Sequence, residues 1–175
     1  MAANWTAFVA GNVLTAAQLN GVVDNFADIA IFNETQSSGT QGGGYTASAY
    51  VKRTLNTTVL NNIAGCSIST SVITLGAGTY QVLAHCPAYK TTATRSRLYD
   101  TTNTATLVQS PNQLAENGSN GFTLSTISGV FTLAGSTNLE LQMRGSASQG
   151  TNGLGATLST GEDEIYSQIM IVRIA

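Results

Sequence analysis

The chain has a single histidine, His85, set between two cysteines, Cys66 and Cys86. These are the residues whose types first suggest nucleophilic chemistry. A thiol becomes a nucleophile when a base lies beside it. His85 and Cys86 are sequence neighbours in a segment that alternates as a strand, where adjacent side chains leave opposite faces. The histidine is therefore badly placed to activate that thiol, and no third group to orient it is evident. The two cysteines read either as small buried thiols or as a disulfide, which needs Cα atoms within about 7 Å. Glu162, Asp163 and Glu164, with Asp100, offer oxygen ligands, but no loop has the spacing of a calcium site. The run reads as a solvated turn. Glu116 and Glu140 fall in different segments and supply no carboxylate pair for glycoside hydrolysis. Arg95 and Arg97 share a face with Tyr99, as an exposed polar surface or as a contact for the acidic run of a neighbouring subunit. The sequence thus predicts a protein that is not an enzyme and that takes no cofactor or metal.

The elements that must position these residues read as short strands. Residues 67–86 form two alternating arms around Gly76-Ala77-Gly78, which predicts a hairpin with the two cysteines at its outer ends. Residues 50–55 read as a strand, and residues 57–63 as another or as an irregular edge. Residues 93–101 and 105–110 make a second hairpin over Thr102-Asn103-Thr104. Residues 121–133 and 138–146 make a third over residues 134–137. Residues 112–120 and the glycine-rich residues 148–161 are loops. Residues 164–174 are apolar on both faces at their centre, which places them in mid-sheet or at an interface. Antiparallel strands of this number and spacing predict a mainly β fold, a β-sandwich or jelly roll.

The N-terminal part has a different grammar. Trp5, Phe8, Val9 and Leu14 lie in a small apolar segment, and the tryptophan either tucks onto this chain's own helix or anchors in a partner. Thr15-Ala16-Ala17-Gln18 is a capping box that opens a short α-helix. Leu19, Val22, Phe26 and Ile29 then recur at helical steps, an apolar stripe for packing or trimerisation. Residues 33–49 are rich in Gly, Ser, Thr and Gln and read as a flexible joint. The expected organisation is an attachment segment with its helix over residues 1–32, a linker over 33–49 and a head over 50–175.

Composition narrows the partners. The 175 residues carry a net charge of −2, and only 9% are charged. Nucleic acid and anionic membrane both recruit clustered Lys and Arg, so neither is expected. No apolar run approaches the length of a membrane span. The opening residues lack a basic stretch before their apolar ones, so no cleaved export signal is expected.

The run Leu75-Gly76-Ala77-Gly78-Thr79-Tyr80-Gln81-Val82, the strand Ser96-Arg97-Leu98-Tyr99-Asp100, the segment from Gly129 to Leu133 and the terminal strand together resemble the jelly rolls of the tumour-necrosis-factor and complement globular-head type. Trp5, Gly11 and the run from Val13 to Asn20 are similar to the adaptor segments of bacteriophage fibre and virion decoration proteins. The resemblance implies a homotrimer meeting through aromatic and aliphatic faces, with Tyr80, Tyr166 and Met170 at the interface. It implies a virion protein assembled in the host cytoplasm and anchored to capsid or tail proteins by its N-terminal segment. Its head would stabilise the particle, contact a host surface protein or glycan, or serve as the receptor-binding part of a tail fibre.

Overall fold

The computed structural model of the chain describes Thr15, residues 28–115 and residues 121–175. Trp5, Phe8, Val9, Leu14, Leu19, Val22, Phe26 and Glu116 lie outside the described residues, and with them most of the expected helix. Among the described residues the regular structure is twelve strands: β1 (Ile29–Gln36), β2 (Val51–Lys52), β3 (Thr57–Asn61), β4 (Ser67–Ser69), β5 (Val72–Leu75), β6 (Gly78–Tyr89), β7 (Ala93–Asp100), β8 (Ala105–Gln109), β9 (Gln113–Leu114), β10 (Phe122–Leu133), β11 (Thr137–Gly145) and β12 (Glu164–Arg173). A five-stranded sheet runs β10-β6-β12-β1-β3. A seven-stranded sheet runs β4-β5-β11-β7-β8, with β2 paired to β11 and β9 to β7. All pairings are antiparallel. The terminal strand β12 sits between β6 and β1, the mid-sheet place its two apolar faces predict.

Alternation decides what lies between the sheets. From β6, Tyr80, Val82, Ala84, Cys86 and Ala88 point inward, and from β12, Ile169 and Ile171. They meet Leu98 of β7 and Leu139, Leu141 and Met143 of β11. The Tyr80 ring stacks on Phe131 with centroids 5.5 Å apart, in a part of the core that is almost wholly apolar. At the level of Cys86 the interior turns polar. There Ser110 and Ser125 share a hydrogen bond of 2.7 Å, and Thr94 and Thr123 one of 2.8 Å. The buried carboxylate of Glu34 holds Arg53. Such groups persist in a core only when hydrogen-bonded or paired.

Three sequence expectations are corrected. Ile29, expected to close a helical stripe, stands in β1 opposite Val172. Ala30, Phe32 and Glu34 face inward while Ile29 and Ile31 face out, a period of two that the three-residue step from Phe26 to Ile29 concealed. The second correction concerns hairpins. The arms around Gly76-Ala77-Gly78 do not pair: β5 lies in the seven-stranded sheet and β6 in the five-stranded one, so the turn crosses the sandwich. The connection from β10 to β11 crosses in the same way, whereas β7 and β8 do form the expected hairpin. A hairpin absent from the sequence reading joins β4 to β5 through Thr70 and Ser71, with φ of 47° and 63°. Those angles give the turn a twist that suits a two-residue connection.

The third correction concerns the expected linker. Residues 33–36 belong to β1, and the stretch beyond is strapped to the glycine-rich loop near the C-terminus. Gly42 N–H donates to Gly155 O at 2.9 Å, Gly43 N–H to Thr151 O at 3.0 Å, and Tyr45 and Gln149 exchange backbone hydrogen bonds. Glycine serves close approach here. A Cβ on Gly44 would stand 2.2 Å from the carbonyl oxygen of Gly150. The boundary expected at residue 50 thus falls inside the sandwich.

Candidate functional site

The outer face of the seven-stranded sheet gathers most of the chain's positive charge. On β7, Arg95, Arg97 and Tyr99 point outward because Thr94, Ser96 and Leu98 point in. On β11, Glu140, Gln142 and Arg144 take the outward positions, and on β2 it is Lys52, paired with Gln142. The register then sets Arg95 opposite Arg144, Arg97 opposite Gln142 and Tyr99 opposite Glu140. Four of the chain's seven basic residues share this surface with one carboxylate among the described residues.

The geometry is ordered by aromatic rings. The Arg97 guanidinium lies 3.6 Å from the Tyr50 ring centroid and 4.0 Å from that of Tyr99, a stacked arrangement suited to its planar charge. Its Nε donates to Gln142 Oε1 at 2.8 Å and its Nη1 to Thr106 Oγ1 at 3.0 Å. Glu140 is occupied by Gln142 Nε2 at 2.6 Å and by Lys52 Nζ at 3.5 Å. Arg95 Nε donates to Asn112 Oδ1 at 2.7 Å. Arg144 lies 5.5 Å from the Tyr50 ring. Between Arg95 and Arg144 opens a groove of about 360 Å³, lined also by Ser48, Asn112, Leu114 and Ser146.

The outer face of the five-stranded sheet has the opposite character. Outward positions on β1, β6, β10 and β12 hold no Asp, Glu, Lys or Arg. Leu83 pairs with Met170, Met170 with Ile31 and Ile31 with Leu60, one apolar row across four strands. Val172 and Ile29 continue it, and Val130, Leu124 and Phe122 stand exposed on the edge strand β10. His85 and Gln168 form a polar row beneath, with His85 Nδ1 3.3 Å from Thr126 Oγ1 and Gln168 Nε2 donating to Asn33 Oδ1 at 3.0 Å.

No protein-family model and no curated protein matches this sequence. Solved structures do. Murine APRIL superposes with a TM-score of 0.55 at 10% identity, covering 82% of this chain and 97% of that one. The Eiger TNF protein of S. frugiperda gives 0.55 at 15% identity, covering 84% and 92%. The globular domain of zebrafish complement 1qA protein gives 0.51 at 16% identity, covering 83% and 97%. The fold is the jelly roll of these globular heads. At such identities the likeness reaches the fold and not the ligand.

Within this jelly roll the expected interface residues separate. Tyr80 is 1% exposed and turned into the core, its hydroxyl donating to Gly76 O at 3.1 Å. Tyr166 is buried against Gly155 and donates to Thr40 O at 2.6 Å. Both are thus held inside the subunit. Met170 faces out, in the middle of the apolar row. Ile29 faces out beside it.

The residues weighed for chemistry are dispersed. Cys66 and Cys86 are both free, and burial pushes the Cys66 thiol up to about 11. Cys86 is also raised, first by burial, inside the polar stretch of the core. His85 lies on the outer face of β6, away from the inward-pointing Cys86. Glu164 is not a solvated turn residue. Its carboxylate accepts from the Thr157 hydroxyl and from the backbone N–H groups of Ser159, Leu158 and Gly39, which hold it down to about 2. Asp100 caps its own turn, taking Asn103 N–H at 2.8 Å. Among the described residues no cluster of three or more His, Cys, Asp or Glu is arranged to hold a metal ion.

Sequence reasoning paired Arg95 and Arg97 with Tyr99 but missed Tyr50, Lys52 and Arg144. The signal was present in the alternation Glu140, Gln142, Arg144 and in the alternation Tyr50, Lys52. Whole-chain net charge hid it, because segregating charge between faces leaves the sum unchanged.

Proposed function

We propose that this chain is a non-enzymatic display head that self-associates as a homotrimer through the outer face of its five-stranded sheet and presents its seven-stranded sheet to the surroundings. The observation that carries the reading is the charge-free apolar row Leu83, Met170, Ile31 and Leu60. A contiguous exposed apolar surface is a liability for a solitary protein and marks an interaction site. The stated resemblance to homotrimeric heads supports a like partner, and the absence of charge across the row suits a face that meets copies of itself.

Residues 1–27 are the attachment segment in this reading. Their capping box, apolar stripe and Trp5 suit docking on a larger body, and the likeness to phage adaptor segments suggests a virion, on capsid or tail. The head then stabilises the particle or contacts a host surface, as a decoration protein or a fibre.

Sedimentation of the full chain tests the assembly. The expected mass is three times that of one chain, falling to one for Leu83→Arg with its unfolding transition retained. A monomeric wild-type chain refutes it. Anchoring is tested separately by incorporation into particles of a chain lacking residues 1–27; normal incorporation removes that part.

A further inference from the structure

We infer that the groove between Arg95 and Arg144 is a binding site for a carboxylate-bearing saccharide. The first ground is register: the two arginines stand directly opposite each other on β7 and β11. Like charges placed so are destabilising unless something negative lies between them. The second ground is the company they keep. Arg95 is met by neutral amides, Asn112 at 2.7 Å and the side chain of Gln109. For Arg144 the structure gives only the Tyr50 ring among the described residues. Glu140, the one carboxylate on this face among the described residues, is taken up by Lys52 and Gln142.

The third ground is shape and lining. About 360 Å³ is room for one or two sugar rings, and the walls carry the hydroxyls of Ser48 and Ser146, the amide of Asn112 and an apolar flank from Leu114. Guanidinium groups grip a carboxylate bidentately, while hydroxyl and amide groups meet the neutral positions of a sugar. An acidic peptide would also satisfy the arginines. Yet apart from the arginines the lining is small or polar, with Ser48, Ala93, Asn112, Gly145 and Ser146 beside Leu114 as the one large apolar side chain, and this favours a saccharide.

The inference rests on the outward presentation of the seven-stranded sheet but not on trimerisation. The test is calorimetric titration of the full chain with an α-linked galacturonate trimer, and in parallel with the neutral galactose trimer of the same linkage. The expected result is binding of the acidic sugar at least tenfold tighter than the neutral one. That binding weakens with salt and falls at least tenfold in Arg144→Gln. Lys52→Gln, outside the groove, leaves it within twofold. The Arg144→Gln variant unfolds at the same temperature as the wild type or higher, since a like-charge contact is removed, so its loss of binding is not loss of fold. Equal binding of both sugars, no binding of either, or binding of a glutamate oligomer in place of the acidic sugar overturns the inference. Sedimentation of the same samples separates the two readings: a trimer that takes no sugar sinks only the site, and a monomer that binds sinks only the assembly.

Discussion

Arg53 Nε donates to Glu34 Oε2 at 2.7 Å, with both side chains fully withdrawn from solvent. The pair ties β1 to the segment after β2, and thereby one sheet to the other. The same guanidinium reaches Leu154 O at 2.7 Å and Pro87 O at 3.3 Å, while Arg53 N–H donates to Leu141 O at 2.8 Å. One residue thus joins both sheets and the glycine-rich loop, by its side chain and its backbone N–H together.

Removing the cation alone leaves a buried carboxylate without compensation. Arg53→Met is expected to lower unfolding free energy by about 3–5 kcal/mol. The double variant Glu34→Met, Arg53→Met removes both charges and should recover about half of that loss, the remainder reflecting the stranded carbonyls of Leu154 and Pro87. Urea unfolding of the two single variants and the double variant measures the coupling. Additive effects would show that the pair is not the staple described.

Glu164 supplies a pH dependence whose sign follows from its environment. The hydrogen bonds from Thr157, Ser159, Leu158 and Gly39 favour the charged form and hold the carboxyl at about 2, against an ordinary 4.5. A depressed carboxyl contributes stability that is complete above its unfolded value and is lost as pH falls from about 4.5 to about 2. Glu164→Gln should therefore destabilise the protein at pH 6 and flatten the acid limb of its stability curve across that window. Thermal unfolding of both proteins between pH 6 and 2 gives the comparison, and parallel curves would contradict the assignment.

Gly155 lies against Tyr166 so closely that an added Cβ would stand 2.1 Å from Cδ1 of the ring, at a backbone φ of +147°. Gly155→Ala forces the ring or the loop to move and is expected to cost about 1–3 kcal/mol. A Cβ on Gly76 meets nothing within 4 Å. Gly76→Ala should stay within about 0.5 kcal/mol of the wild type. Equal losses at the two positions would show that the close approach at Gly155 is not what the glycine serves.

Much of this fold was legible because strand alternation is written locally. The limits of β7, β10, β11 and β12 follow from period-two patterns bounded by turn residues, whereas β6 runs past the expected end at Cys86 to Tyr89, and the central place of β12 is one of the two that its apolar faces allow. The partners of those strands were not legible. Leu75 and Gly78 flank a turn whether their strands pair or diverge into two sheets, and nothing in Gly76-Ala77 separates the cases. The Thr70-Ser71 turn carried no glycine or asparagine to announce it. The candidate site was half visible: Arg95, Arg97 and Tyr99 lie on one strand, while Arg144 and Tyr50 join them only through pairing across β11, a non-local fact. The glycines of residues 42–44 misled in the opposite direction, since close packing and flexibility call for the same residue.

The position of β1 sets where the N-terminal residues can be severed from the sandwich. Ala30, Phe32 and Glu34 are buried between the sheets, and Glu34 holds Arg53. A chain beginning at residue 37 loses the burial of Phe32, about 1.5–3 kcal/mol, and leaves Arg53 unpaired at a cost of about 3–5 kcal/mol. It also strips β3 and one edge of β12 of their partner. Those losses rival the 5–15 kcal/mol that holds a typical domain together. A chain beginning at Asp28 keeps all three contributions. Circular dichroism under urea should therefore show a cooperative transition for the longer truncation product and none for the shorter. If both unfold alike, β1 is an ornament of the sandwich and residues up to 36 are dispensable to its fold.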